Sequence, residues 1–249
     1  MNKYLLTFLF VLLFSTISIG QESAICSYQI IPLKEHLKIL STDNKSQRDS
    51  KEMLIKALDL ASSFKYTLEF NSTEALSSID NTLDNENSRN SFLLPVAKAL
   101  IGKGIYYQNI SEHIQLRQLS SMGQEFIIRD SIKSNEWNIS KEHRKIGKFN
   151  CYKATKNCNS CNRGMEEVWF TPEVPKSFGP LGYGGLPGLI IAVQKKTFIL
   201  QLTEIKLMEG TFKIDKPSKG KMVSVDYYNS LTKQARKRAS NMRDSTFKN

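Results

Sequence analysis

After its first twenty residues the chain has no apolar run long enough to cross a bilayer as a helix, which takes about 20 consecutive residues. Histidine is scarce. His36, His113 and His143 are the only three, each in a polar context and none spaced with another as metal ligands or a catalytic pair. No G-x-S-x-G elbow is present, which removes one common serine-hydrolase signature. No Gly-Lys-Ser/Thr occurs, which removes the P-loop. Acidic side chains are in deficit, 24 against 35 Lys and Arg, giving a formal charge of +11. Glycine and proline are thin over most of the chain and crowd into one segment near residue 180.

The N-terminus carries an export pattern. Lys3 supplies the positive charge, Leu5–Phe14 is an apolar run broken only by Thr7, and Ser18-Ile-Gly20 offers small residues at a cleavage site before Gln21. Residues 1–20 therefore read as a signal peptide, and 21–249 as a single domain long enough to bury a sizeable core. Cys26 stands too far from that site for a lipid-anchored start. The expected location is exported: periplasmic, outer-membrane-associated or secreted. Without Lys3 the chain keeps 34 basic and 24 acidic residues. Such a balance in an exported protein favours anionic partners, a membrane or glycan surface, and export argues against nucleic acid.

Cys26, Cys151, Cys158 and Cys161 all fall in the mature chain, and an even count in an oxidising compartment permits two disulfides. Cys158-Asn-Ser-Cys161 has two further readings. A thioredoxin-type site places the first Cys at a helix N-terminus in a βαβ setting, whereas this one lies in an Asn-rich turn between strand-like stretches. Zinc needs a second ligand pair, and His143 and Cys151 are weak candidates. Disulfides among the four are favoured, with the pairing open, and no metal or cofactor is expected.

Periodicity places the elements. Cys26–Leu33 is strand-like. Asp49-Ser-Lys-Glu52 resembles a capping box, and Met53, Leu54, Ala57, Leu58 and Ala61 follow at helical spacing, so a helix is predicted over 50–62. Phe64, Tyr66, Leu68 and Phe70 alternate with polar residues, a half-buried strand. Residues 71–90 are polar and aperiodic and read as a loop. Pro95 opens a short helix ending at Gly102. Strand-like pieces follow at 105–108, 115–119, 125–129, 137–139, 148–155 and 166–170. Residues 189–193 and 197–207 read as a hairpin turning at Gln194–Lys196. Residues 226–243 form a basic helical tail. Successive strands without intervening helices indicate a mainly β, α+β chain: an antiparallel β-sheet or half-barrel with an N-terminal helix and a basic C-terminal helix.

The segment Trp169–Ile190 holds five of the 13 glycines and four of the seven prolines. It is not a phosphate cradle, because it leads into a strand and Pro180 and Pro187 have no N–H to offer. Glycine allows close backbone approach and proline fixes φ, so the loop of Gly179, Pro180, Gly184, Gly185, Leu186, Pro187, Gly188, Leu189 and Ile190 is rigid and shaped. Tyr183-Gly-Gly-Leu-Pro-Gly-Leu-Ile190 contains a literal Gly-Leu-Pro-Gly-Leu-Ile string and resembles the GLPGLI family of exported Gram-negative envelope proteins. Lys148–Thr155, Trp169–Pro175 and Phe178-Gly-Pro180 resemble that family's approach to the motif. The resemblance implies an exported β-rich domain and carries no catalytic residue or cofactor.

The remaining chemistry is thin. Glu166, Glu167 and Glu173 lie near the motif, but neighbours in a strand point to opposite faces, and solvated carboxylates are the ordinary explanation. Trp137, Tyr152, Trp169, Phe170, Phe178 and Tyr183 read mostly as core, with a ligand-binding groove as the sharper alternative. Lys233, Arg236, Lys237, Arg238 and Arg243 surround a short apolar stripe and are candidate contacts to an anionic surface, against the usual solvated helix face. The favoured function is an envelope binding or accessory protein engaging an unidentified envelope protein or ligand at the surface shaped by the loop. The alternatives are a hydrolase or thiol-redox enzyme using a groove beside that loop, and a purely structural envelope component.

Overall fold

Period-two alternation builds most of the molecule. The computed structural model describes residues 23–35, 44–80, 92–132, 136–158 and 164–246, so the leader expected at 1–20, His36 and Cys161 lie outside the described residues. The strands are β1 (Ser23–Pro32), β2 (Tyr66–Phe70), β3 (Glu74–Ile79), β4 (Ile105–Asn109), β5 (Ile114–Ser121), β6 (Gln124–Ser131), β7 (Asn138–Ile146), β8 (Phe149–Cys158), β9 (Gly164–Thr171), β10 (Leu189–Gln194), β11 (Phe198–Met208) and β12 (Lys221–Ser224). They form one open sheet in the order β12-β6-β5-β4-β3-β2-β1-β11-β10-β9-β8-β7. Neighbours are antiparallel except β12 and β6, which are parallel. The fold is mainly β, as the periodicity predicts.

Cross-strand register defines one inner face. Tyr28 of β1 sits opposite Tyr66 of β2 and Leu202 of β11. Phe170 of β9 sits opposite Ile190 of β10 and Tyr152 of β8. Helices α1 (Lys45–Ala61) and α2 (Leu93–Ile101) add Ala57, Leu58, Ala61, Leu93, Ala97 and Ile101 to the same buried cluster. Burying a Leu or Ile of this kind contributes about 1.5–3 kcal/mol, so the face carries much of the stability. A second, smaller cluster of Tyr107, Leu116, Ile127 and Ile214 covers the opposite side of β4–β6.

Several boundaries differ from the sequence reading. The helix expected over 50–62 begins at Lys45, so Asp49 lies inside it. Its first turn is closed on the Asn44 carbonyl by the N–H groups of Gln47 and Arg48, and Glu52 pairs with Lys56 one turn on, at 2.6 Å. The polar loop expected near 71–90 contains β3. Small residues disguise the alternation there: Ala75, Ser77 and Ile79 point inward and are buried. The Asn71 side chain bends the chain from β2 into β3 by accepting the N–H groups of Thr73 and Glu74. Strand β12 has no clear signal of its own, because four residues in parallel pairing depend on β6 for their register. Helix α2 ends as Gly102 predicts, with that glycine left-handed at φ 96°. Helix α3 spans Val225–Thr246.

The chain from β9 to β10 does not skirt the sheet but crosses its inner face. A 3-10 turn at Pro180–Gly182 touches β2, β3 and β4, which lie on the far side of β1 and β11 from β9 and β10. The open sheet therefore wraps around the Gly/Pro loop. Pro180, Leu186, Leu189 and Ile190 are buried, and Pro187 is exposed. Gly188 permits the closest approach: a Cβ there would lie 2.1 Å from the Thr171 carbonyl oxygen and 3.0 Å from Pro172 Cα. Both obstacles are backbone and cannot rotate away. Gly188→Ala is expected to lower the free energy of unfolding by about 2–3 kcal/mol in a denaturant titration, whereas Pro187→Ala stays within about 0.5 kcal/mol. Equal midpoints for the two variants would contradict this packing.

Candidate functional site

Hydrogen bonds from distant strands pin the loop. The Tyr28 hydroxyl donates to the Ile190 carbonyl at 2.7 Å, and the Leu181 N–H donates to the Tyr66 hydroxyl at 3.0 Å. Burial holds both tyrosine hydroxyls well above their ordinary pKa, so both remain neutral partners. Leu181 is itself left-handed, φ 59° and ψ 24°, a costly conformation for a branched side chain. The loop closes on itself as well: Gly185 N–H donates to Ser177 Oγ at 3.0 Å, and Ile190 N–H to the Phe178 carbonyl at 3.0 Å.

Where the loop leaves the core it forms one wall of a cleft of about 230 Å³. Leu181, Gly182, Tyr183 and Gly184 supply the loop side, and Gln108, Gln115, Asp130, Trp137, Lys156 and Glu166 stand around it. Gln108 Nε2 donates to the Gly182 carbonyl at 3.0 Å, and the Trp137 indole N–H to the Gly184 carbonyl at 2.8 Å. Gly182 lies in the left-handed region at φ 72°, where a side chain would be strained, and a Cβ there would also stand 3.0 Å from the Tyr106 ring. Gln108 on β4 and Trp137 just before β7 thus bind the loop's backbone directly.

Glu166, Lys156, Lys195 and Tyr183 form a connected network in the cleft. Glu166 on β9 accepts the Tyr183 hydroxyl at 2.6 Å, and its carboxylate lies 3.3 Å from Lys195 Nζ and 3.6 Å from Lys156 Nζ. Lys195 also contacts the Tyr183 hydroxyl. The Lys156 ammonium lies 5.0 Å from the centre of the Trp137 ring and 5.5 Å from that of Tyr183, so the cation is held between two aromatic faces and a carboxylate. Burial alone would raise the Glu166 carboxyl, but Lys195, the Tyr183 hydroxyl and Lys156 together hold it below its ordinary value. The expectation of a solvated carboxylate therefore fails for Glu166, whose side chain is 16% exposed. Sequence placed Glu166 and Glu167 on opposite faces, and they are: Glu167 accepts the Trp169 indole N–H at 3.1 Å and pairs with Lys153 at 3.3 Å. Glu173 caps β8 by accepting both the N–H and the side-chain amide of Asn150 at 2.8 Å.

The other expected site residues do not join this cleft. Cys26 on β1 and Cys151 on β8 are free, buried thiols, which corrects any disulfide through either. Four strand steps separate them, roughly 19 Å along the sheet, far beyond the Cα spacing a disulfide tolerates. Desolvation pushes Cys26 up to about 12 and Cys151 up to about 11, so neither is a thiolate at neutral pH. Cys158 ends β8, and the side chains of Cys158 and Cys161 lie outside the described residues. His113 sits in the β4–β5 turn with φ 53°, and His143 is exposed on the edge strand β7. Lys233, Arg236, Lys237 and Arg238 stand exposed on α3, with the Arg243 side chain outside the described residues. Of the aromatics, Trp169, Phe170, Phe178 and Tyr183 are buried, Tyr152 is exposed, and Trp137 lines the cleft. Gln108, Gln115, Lys156 and Lys195 had no sequence signal: each is an ordinary polar residue until the loop folds against it.

The segment around the Gly/Pro loop is where the chain resembles a known family. Residues 162–192 match the family described as Protein of unknown function (Porph_ging). That segment holds β9, the Gly/Pro loop and the start of β10, and agrees with the GLPGLI resemblance. Among curated proteins none matches the chain. Two solved structures of PNGF-II are similar at 13% identity, with TM-scores of 0.51 and 0.52. The alignments cover 84% of this chain and 33% and 32% of PNGF-II, so the chain spans about a third of that protein's length. The likeness is one of fold. A conserved uncharacterized protein from Thermus thermophilus aligns at 7% identity over 82% of this chain and 91% of its own, with a TM-score of 0.36 that supports no conclusion.

The Glu166 network sets a pH dependence. A carboxyl held below its ordinary 4.5 contributes stability that is present above 4.5 and is lost as pH falls through the folded-state value. The melting-temperature gap between the protein and Glu166→Gln should be widest near neutral pH and close on acidification below 4.5. A gap that persists unchanged into strong acid would contradict the ion-paired carboxylate.

Proposed function

We propose that this domain is an exported envelope module that binds a small polar group of a ligand or partner protein in the cleft beside the Gly/Pro loop, without catalysing its conversion. One observation carries the reading. The cleft's central carboxylate, Glu166, is held ionised between Lys195, Lys156 and the Tyr183 hydroxyl. A carboxyl with a lowered pKa is a poor proton donor at neutral pH and a weak base, so the group best placed to act chemically is tuned away from acid–base work. What it does well is fix the geometry of the aromatic wall.

The rest of the cleft supports recognition. Its walls are a backbone loop locked from four strands and side chains that already hold hydrogen bonds, an arrangement with little ordering left to lose on binding. Its volume lies below the ~300 Å³ at which pockets for drug-sized ligands begin, which favours one polar group over an extended molecule. Export supports the same reading from the sequence side, through the leader-like residues 1–20.

Trp137 provides the test, since its indole lines the cleft while Trp169 is buried beneath the Arg144 guanidinium, 3.9 Å from its ring centre. In Trp169→Phe the remaining emission reports Trp137. Titration with separate panels of amino acids, short peptides and monosaccharides should give a saturable emission change with one class, abolished by Gln115→Leu, with the ligand recovered intact. No saturable change with any class, or a chemically altered ligand, would overturn the proposal.

A further inference from the structure

Helix α3 is built unlike the other helices. Among its described side chains, packing is concentrated in the first two turns: Val225, Tyr228 and Leu231 lie against Leu119, Phe126, Ile128 and Val223, with Tyr228 edge-on to Phe126 at 5.5 Å. From Lys233 to Asn241 every side chain is exposed except Ala235, which is half-buried. At 1.5 Å per residue the stretch from Lys233 to Thr246 extends about 20 Å beyond that packing. No acidic residue occurs between Asp226 and Asp244. Lys233, Arg236 and Lys237 therefore repeat at i, i+3 and i+4 with no carboxylate beside them, a spacing at which like charges repel. Helix α1 offers the contrast, with Glu52 and Lys56 paired at i, i+4.

A helix that is polar around most of its circumference and has no internal ion pair among its described side chains gains its stability from outside itself. The side chains identify what would supply it. Lys233, Arg236, Lys237 and Arg238 present four exposed positive charges, and Lys221 adds a fifth at the helix start, its ammonium 5.5 Å from the exposed Tyr227 ring. Exposed Met222 and Tyr227 stand at the same end. Exposed cations along the helix, with Lys221 and the exposed Met222 and Tyr227 at its start, match a lipid interface, where anionic headgroups meet the charges and apolar tips reach the acyl boundary. A soluble polyanion would have no use for the apolar tips.

We infer that α3 docks this domain on the surface of an anionic phospholipid bilayer through Lys233, Arg236, Lys237 and Arg238. The inference is independent of the cleft and of what the cleft binds. Each basic side chain close to an anionic surface contributes about a fivefold gain in partition, so four give a reversible association that salt weakens.

The test uses the chain from Gln21 and sedimentation with vesicles of phosphatidylcholine alone or mixed with phosphatidylglycerol. Binding is expected to the mixed vesicles, to fall with added salt, and to weaken more than tenfold in the variant Lys233→Gln/Arg236→Gln/Lys237→Gln/Arg238→Gln. These side chains are exposed, so the variant should keep the parent melting temperature, which separates lost docking from lost folding. Equal binding by the variant, equal binding to neutral vesicles, or binding to heparin or DNA with none to the mixed vesicles would each overturn the inference.

Discussion

Between β9 and β10 the backbone passes across the inner face of a sheet, where Phe178–Pro180 and Gly188–Ile190 are buried and their polar groups need partners within the protein. The Tyr66 hydroxyl takes the Leu181 N–H and the Tyr28 hydroxyl donates to the Ile190 carbonyl, from residues 115 and 162 positions away in sequence. A buried peptide group left without such a partner costs about 1–3 kcal/mol. Proline at 180 and glycine at 182, 184 and 188 reduce what must be satisfied and let neighbouring backbone approach. The contacts of the loop with β2, β3 and β4 and the shape of the cleft follow from getting this one segment across. Gly102 shows how tight the fit is: a Cβ there would lie 2.8 Å from the Leu181 side chain.

Much of this was legible because it is written in local pattern. Phe64, Tyr66, Leu68 and Phe70 alternate, and all four are buried. The hairpin of β10 and β11 follows its apolar alternation and its polar turn. Gly102 closes α2 where the helix was expected to end. What stayed hidden depends on contacts between distant residues. Strand β3 buries Ala75 and Ser77, which carry no hydrophobic signature, and β12 exists only beside β6. The rigidity of the Gly/Pro loop could be read from composition, but its passage across the sheet could not, because nothing in residues 179–190 names Tyr28 or Tyr66 as a partner.

The candidate site divides in the same way. Tyr183 and Trp137 drew notice as aromatics near the motif, and Glu166 as one of three nearby acids. Their assembly with Lys156 and Lys195 needed the register of β8 against β9 and the turn after β10. Cysteine counting pointed to disulfides among Cys26, Cys151, Cys158 and Cys161, with the pairing open. The Cys26 and Cys151 thiols instead fill the protein interior, where they behave as small apolar side chains. Burial, which sequence spacing does not reveal, decides their chemistry. The cleft is a by-product of the crossing: the same backbone that is locked into the core at Ile190 accepts the buried Gln108 amide at Gly182 and the half-buried Trp137 indole at Gly184.

The central claim is that the loop belongs to the core although it is rich in glycine and irregular in form. Native-state hydrogen exchange tests it most directly. If the loop is locked by the sheet, the amides of Leu181, Leu189 and Ile190 exchange only through global unfolding, with the same opening free energy as the core amides of β1 and β2. Exchange of these three amides through a local opening, well below the global stability, would contradict the account.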